Sequence, residues 1–305
     1  MERNRLQWLD IAKGITILLM ILGHTSIPRI PSNFIFSFHM PLFFLASGWC
    51  TNWGKDSLIR FINKKIKNLI IPFVVYSIIV ILLYKLVGND DFSFYRVLSE
   101  GWRMYALWFV PVLFVSLIIA KIIMSHIHLS WLRYFICGFL IIIGVLFSYF
   151  HISLPWTLST VPYATCLVLM GSSLKRYQEY INEPKWWILV LGFVLALMIS
   201  YKWRLDMASN QIIPVIILTI GAISGTAMVF TVSSFLTKIP LIASVFTAIG
   251  KETFVVLAFS QILCLTISHF YPCNKIIEYG LMFCLLLFIV LIKNGINKLI
   301  GRKVL

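Results

Sequence analysis

The sequence is short of charge, and of negative charge most of all. Its 305 residues include 11 Asp and Glu against 26 Lys and Arg, and charged residues make up 12% of the chain. A soluble domain carries roughly 25%, so the shortage excludes an ordinary soluble protein. There is also no polar stretch long enough to fold a catalytic domain, so any chemistry belongs inside a helix bundle or at its mouths. The six cysteines are scattered through apolar stretches, with no Cys-x-x-Cys and no Cys/His cluster. That pattern gives neither a zinc site nor a disulfide framework, and no metal is expected. A nucleophile elbow, a GxxxxGK phosphate loop and an HExxH pair are all missing. The N-terminus has no small-residue cleavage site, so the first apolar run is expected to stay as a membrane helix.

What is abundant is apolar: 60% of residues are hydrophobic, with a mean hydropathy of +0.93. Ten apolar runs fall at 8–25, 34–53, 68–87, 104–124, 131–150, 156–174, 185–201, 209–236, 241–269 and 276–300. Each is about long enough to cross a ~30 Å hydrocarbon core. The reading is an all-α, polytopic membrane bundle of about ten transmembrane helices. It is expected to form a single integral-membrane domain over 1–305 with no fused soluble domain. In the ninth run Gly250-Lys251-Glu252 is an interruption, and the span is expected to start after it.

Basic residues set the topology. With both termini cytoplasmic, the outer segments hold Arg29, Lys85, Arg96, Arg103, Lys202, Arg204 and Lys275, Lys13 is embedded, and every other Lys and Arg lies inside. The outer loop 88–103 also carries Asp90, Asp91 and Glu100. The net charge of +15 is therefore a membrane-topology signal, and no nucleic-acid partner is expected.

Against this background a few polar residues stand out. Asp10, Lys13 and His24 fall in the first apolar run. Ionisable groups at membrane depth cost a few kcal/mol each on insertion scales, and where they persist they usually have a function. Lys13 and His24 are eleven residues apart, about 20° around a helix and about 16 Å along it. They share one stripe but sit near opposite faces. An Asp10–Lys13 ion pair at the interface is the simpler alternative for that end. His39 opens the second run near the outer face, close to where His24 ends, in Ser37-Phe38-His39-Met40-Pro41. Two neighbouring imidazoles suit proton transfer near neutral pH. Pro41, in the first turn or two, either kinks the helix or sits at its start. An inner loop then supplies Arg60, Lys64, Lys65 and Lys67 before Pro72. This is an anion site or, alternatively, an anchor to anionic lipid. Trp108 fits an interfacial belt or the floor of a sugar site. Glu252 and Gln261 are nine residues apart, on opposite helix faces, and do not make one site.

In this order the blocks resemble the acyltransferase 3 superfamily of integral membrane acyltransferases, which includes glycan O-acetyltransferases. Leu9-Asp10-Ile11-Ala12-Lys13-Gly14 with His24 is similar to the family's opening Leu-Asp-x-x-Arg-Gly block and the His that follows it. Ser37 to Phe44 with Ser47-Gly48 resembles its second helix. The basic run before Pro72, Trp108-Phe109-Val110-Pro111 and Gly250-Lys251-Glu252-Thr253 are similar to its later blocks. Two departures matter. Lys13 replaces Arg and loses the bidentate fork, and Asn68 stands where the basic run often ends in Arg.

The resemblance implies a membrane O-acyltransferase. Its donor is a cytoplasmic acyl-coenzyme A, usually acetyl-CoA, and its acceptor is a hydroxyl of a surface sugar or lipid-linked glycan. It further implies residence in a bacterial cytoplasmic membrane, among membrane lipid. His24, His39 and Asp10 are the expected catalytic residues. Lys13, Arg60, Lys64, Lys65 and Lys67 are the expected donor-binding residues, and Ser37 and Trp108 the acceptor-binding ones. Direct transfer with His24 as general base and relay through an acyl-histidine both fit. A multi-span transporter or flippase is the competing class, since it also places ionisable residues on a membrane stripe.

Overall fold

A computed structural model describes residues 6–25, 27–86, 94–101, 106–178, 185–270 and 275–299. The described residues are helical throughout apart from short connections and one isolated bridge, Asp206 to Gln211. The helices are α1 (Gln7–Gly23), α2 (Arg29–Cys50), α3 (Leu58–Lys65), α4 (Ile71–Leu86), α5 (Phe94–Glu100), α6 (Phe109–His126) and α7 (Ser130–Tyr149). They continue with α8 (Val161–Leu174), α9 (Trp186–Lys202), α10 (Val215–Leu236), α11 (Pro240–Lys251), α12 (Thr253–Phe270) and α13 (Lys275–Leu299). The terminal cations Arg3, Arg5, Arg302 and Lys303, with Asp90, Asp91 and Arg103, lie outside the described residues.

Each of the ten apolar runs is occupied by helix. Six helical stretches are long and apolar enough by themselves to cross a membrane: Arg29–Cys50, Leu58–Leu86, Ala106–His126, Ser130–Tyr149, Pro155–Tyr177 and Val215–Leu236. Pro240–Lys251 and Thr253–Cys264 make a seventh if the bent pair is counted as one span. Trp186–Lys202 and Tyr279–Lys293 are shorter apolar helices. The chain is therefore a multi-pass membrane protein with six or seven clear spans, and the further runs are helical as well.

Burial separates centre from rim. In the most apolar window of Arg29–Cys50, 78% of residues are buried, against 6% in Ser130–Tyr149. Hence α2 is the axis of the bundle and α7 turns its apolar surface outward to lipid. Two glycine pairs set the tightest crossings. A Cβ on Gly14 meets the Phe246 carbonyl oxygen at 2.3 Å, and one on Gly250 meets the Asp10 carbonyl oxygen at 1.8 Å. Between α2 and α8, a Cβ on Gly48 falls 1.9 Å from the Val168 oxygen and one on Gly171 falls 2.0 Å from the Leu45 oxygen. No side chain fits at either crossing. Small residues are how membrane helices bring backbones together.

Three local readings change. The 60–67 segment is helix rather than loop: α3 runs through a π-helical turn, Ile66–Ile70, into α4. The run of apolar and basic residues there simply alternates at helical spacing, and Pro72 falls in the first turn of α4. The second helix starts at Arg29, five residues before the apolar run, with Pro28 at its N-cap and Arg29 to Asn33 forming its first turn. Pro41 is therefore mid-helix, where its missing N–H frees the Ser37 carbonyl. In the ninth run the break falls at Glu252 as read, but α11 is a helix of its own, bent 77° from α12 and packed on α1.

Candidate active site

The stripe on α1 faces two cavities, one at each end. The first has a volume of about 360 Å³ and collects Lys13, Lys64, Lys65 and Asn68, with Asp56 at its rim. Its deeper wall is apolar, with Ile17, Phe43 and Phe109 among the lining residues. Lys13 Nζ lies 3.2 Å from Asp10 Oδ1, and that carboxylate is 3% exposed. Lys64 Nζ donates to Asp56 Oδ2 at 2.7 Å, a bond that holds the Asp56 carboxyl below its usual range. The Lys65 ammonium sits 5.2 Å from the Phe61 ring centre. Arg60 and Lys67 are exposed and do not line the cavity.

The walls of this basic cavity are pinned from behind. Lys121, 4% exposed on α6, donates to the Trp53 carbonyl and lies 5.9 Å from the Phe61 ring centre. Trp53 Nε1 donates to Ser172 Oγ at 2.8 Å. Together these fix the 51–57 connection that carries Asp56. In the sequence Lys121 reads as a topology signal only, since nothing marks which face of α6 it occupies.

The second cavity measures about 170 Å³ and collects His24, His39, Phe36, Trp108, Arg204 and Asp206. His24 follows the last turn of α1 and is exposed, whereas His39 is 2% exposed. Their ring centres are 6.3 Å apart, nearly perpendicular. That is too far for a direct hydrogen bond between the rings, and close enough for one hydroxyl to reach both. His39 Nδ1 lies 2.9 Å from the Ile35 carbonyl oxygen. A carbonyl only accepts, so Nδ1 carries the proton and Nε2 is the nitrogen left for the cavity. Trp108 is buried in the wall, on a turn that Gln261 holds by accepting the Ala106 N–H at 2.8 Å.

The connection 203–214 closes this cavity, and sequence reasoning missed its role. Asp206 and Gln211 pair their backbones, and Asp206 Oδ1 accepts the N–H groups of Ala208 and Ser209. Thr160 Oγ1 donates to the Met207 carbonyl at 2.6 Å, and Leu205, Met207 and Ile212 are buried. The one available signal was Arg204, an outer-segment cation beside Asp206 between two apolar runs.

The other expected residues lie apart. Asp10 is at the Lys13 end, about 21 Å along α1 from His24. Ser37 donates to the Phe34 carbonyl of its own helix at 2.7 Å and lines neither cavity. Glu252 pairs with Lys293, so Glu252 and Gln261 serve separate contacts. Among the described residues no group of three or more His, Cys, Asp or Glu is arranged to hold a metal ion.

The two cavities are separated by little. Ile17, Phe43 and Phe109 line the basic one, while Met20, Met40 and Trp108 line the histidine one. On α1 and on α2 the step is three residues, about 5 Å of helix. Phe109 fills the gap, 5.8 Å from Phe43 and 4.8 Å from Phe44 between ring centres. The arrangement is a cationic cavity and a two-histidine cavity on one line, divided by about one turn of apolar side chains.

Comparison with known proteins matches a family model described as an acyltransferase domain to residues 6–294. No curated protein and no solved structure matches the chain. The chain belongs to the acyltransferase 3 superfamily, and it is a membrane acyltransferase.

Proposed function

We propose that this acyltransferase moves an acetyl or other acyl group from cytoplasmic acyl-coenzyme A to a hydroxyl of a cell-surface sugar or lipid-linked glycan. The bacterial cytoplasmic membrane is its proposed location. The observation that carries the reading is the pair of cavities aligned along α1, one cationic and one bearing two histidines.

The donor chemistry fits the basic cavity. Lysine ammonium groups and the Asn68 amide offer N–H donors to phosphate. The apolar inner wall suits a thioester arm. That arm is comparable to about five extended residues, roughly 17 Å, and Lys13 to His24 spans about 16 Å. The thioester thus reaches the histidines once the apolar turn between the cavities yields.

Transfer then follows from the two rings. The acceptor oxygen gives its proton to His24 and attacks the thioester carbonyl carbon. The C–S bond breaks, and the departing thiolate takes the proton back from His24. His39, fixed by its bond to Ile35, turns its unprotonated Nε2 to the acceptor hydroxyl and helps orient it toward His24. General-base help of this kind is worth about 10²–10⁴-fold. Trp108 provides an aromatic wall for a sugar ring. Asp10 acts on Lys13, as its ion-pair partner, rather than on the reacting atoms.

The test is transfer of labelled acetyl from acetyl-CoA in native-host membranes carrying wild type or His24→Ala. Label in a glycan fraction with wild type alone supports the reading. Equal label with both variants refutes the role of His24, and no label with folded wild type refutes the donor.

A further inference from the structure

Among the described residues Arg204 is the one permanent cation lining the histidine cavity. Its side chain is held by two contacts. Nη1 donates to Ser32 Oγ at 3.1 Å, and the guanidinium carbon lies 3.6 Å from the centre of the Phe36 ring. A guanidinium has five N–H donors, and Ser32 takes one. Among the described residues Arg204 makes no ion pair. The carboxylate of the same cavity, Asp206, spends Oδ1 on the turn at Ala208 and Ser209. This contrasts with the basic cavity, where Lys13 and Lys64 each have a carboxylate.

Phe36 ties this cation to the chemistry. Its ring centre is 5.4 Å from that of His24 and 4.8 Å from that of His39. The histidines meet Phe36 edge-on while Arg204 lies over its face, so cation and bases share one aromatic platform. Stacking leaves the in-plane edge of a guanidinium open for a two-oxygen partner.

We infer that the acceptor is an anionic sugar, whose carboxylate or phosphate is clamped by Arg204 while a hydroxyl of the same residue meets His24. This rests on the histidine cavity being the acceptor site. It sets a specificity: a neutral sugar forgoes the charge-assisted bonds that a carboxylate or phosphate makes to the guanidinium, which favours the anionic acceptor.

Binding tests the inference without requiring transfer. The full chain in lipid nanodiscs is titrated with D-glucuronate, D-glucose 6-phosphate and D-glucose, read by saturation-transfer NMR. Wild type is expected to favour at least one acid over glucose by ten-fold or more. Glucuronate alone marks a carboxylate acceptor, glucose 6-phosphate alone a phosphate, and both a general anion clamp. Arg204→Gln, which keeps a donor for Ser32, should abolish the preference, and Arg204→Lys should keep part of it. Equal binding of glucose and the acids, no binding of any probe, or a preference that survives Arg204→Gln overturns the inference. Wild-type selectivity decides even if a variant does not fold. A preserved preference with no acetyl transfer in host membranes would count against the acyltransfer reading instead.

Discussion

The two cavities are built on the same helices and differ in how their charges are partnered. In the basic cavity two of the cations are already paired with carboxylates: Lys13 with Asp10, Lys64 with Asp56. In the histidine cavity Arg204 has no ion-pair partner among the described residues. Paired lysines suit a ligand that arrives and leaves, because each cation has a carboxylate to return to. A stacked arginine outside any ion pair suits selection, because an anion bonds to it more strongly than a neutral group does. The comparison teaches that charge density and charge availability are separate properties of a site.

The largest effect expected from breaking this contrast is at the histidine end. His24→Ala should lower acyl transfer by about 10²–10⁴-fold at equal protein level, with donor binding by isothermal titration unchanged. A parallel loss of donor binding would mean that the cavities are not functionally separate. Next comes the scaffold they share. Gly250→Leu pushes a side chain into the Asp10 backbone, so α1 must move and both cavities fail together. The expected readout is loss of monodisperse protein on size-exclusion chromatography. Gly138→Ala, whose Cβ meets nothing within 4 Å, should leave the elution unchanged.

These predictions mark what was legible in the sequence. The Asp10, Lys13 and His24 stripe was readable because helical spacing alone fixes it. Lys13 and His24 do face different cavities. The nearness of His24 and His39 followed from the short connection between their helices. Trp108 was readable as a candidate wall. The 203–214 loop was not, because its place is set by tertiary contacts such as Thr160 to Met207, which no local pattern encodes. The basic run misled in part: density did not say which lysines turn inward, and Arg60 and Lys67 turn away. Apolar run length marks ten helical runs, and length and composition single out six or seven of them as clear spans, since α1 and α9 hold 17 residues each.

Smaller effects should sharpen the account of the basic cavity. Lys13→Met should raise KM for the acyl donor about ten-fold with kcat within about three-fold, the loss of one charge-assisted hydrogen bond. Lys13→Arg should lower KM a few-fold by restoring a two-point hold on phosphate. The smallest effect is at Asp56. Its folded pKa is depressed by the Lys64 hydrogen bond, so the pair is intact above the ordinary carboxylate pKa and is lost as pH falls through the lower folded value. Asp56→Asn should mimic that loss at neutral pH and free Lys64. Donor KM should fall by about two-fold at low salt, and the difference should vanish at about 0.5 M salt, where exposed charges are screened.

The most direct test of two cavities serving one reaction is sidedness. Sealed native-host vesicles of both orientations are given labelled acetyl-CoA in the outer medium only. The account predicts label in glycan on the opposite side only where the Lys13 face meets the medium, and none with His24→Ala. Label that appears only on glycan sharing the donor's side of the membrane would contradict it.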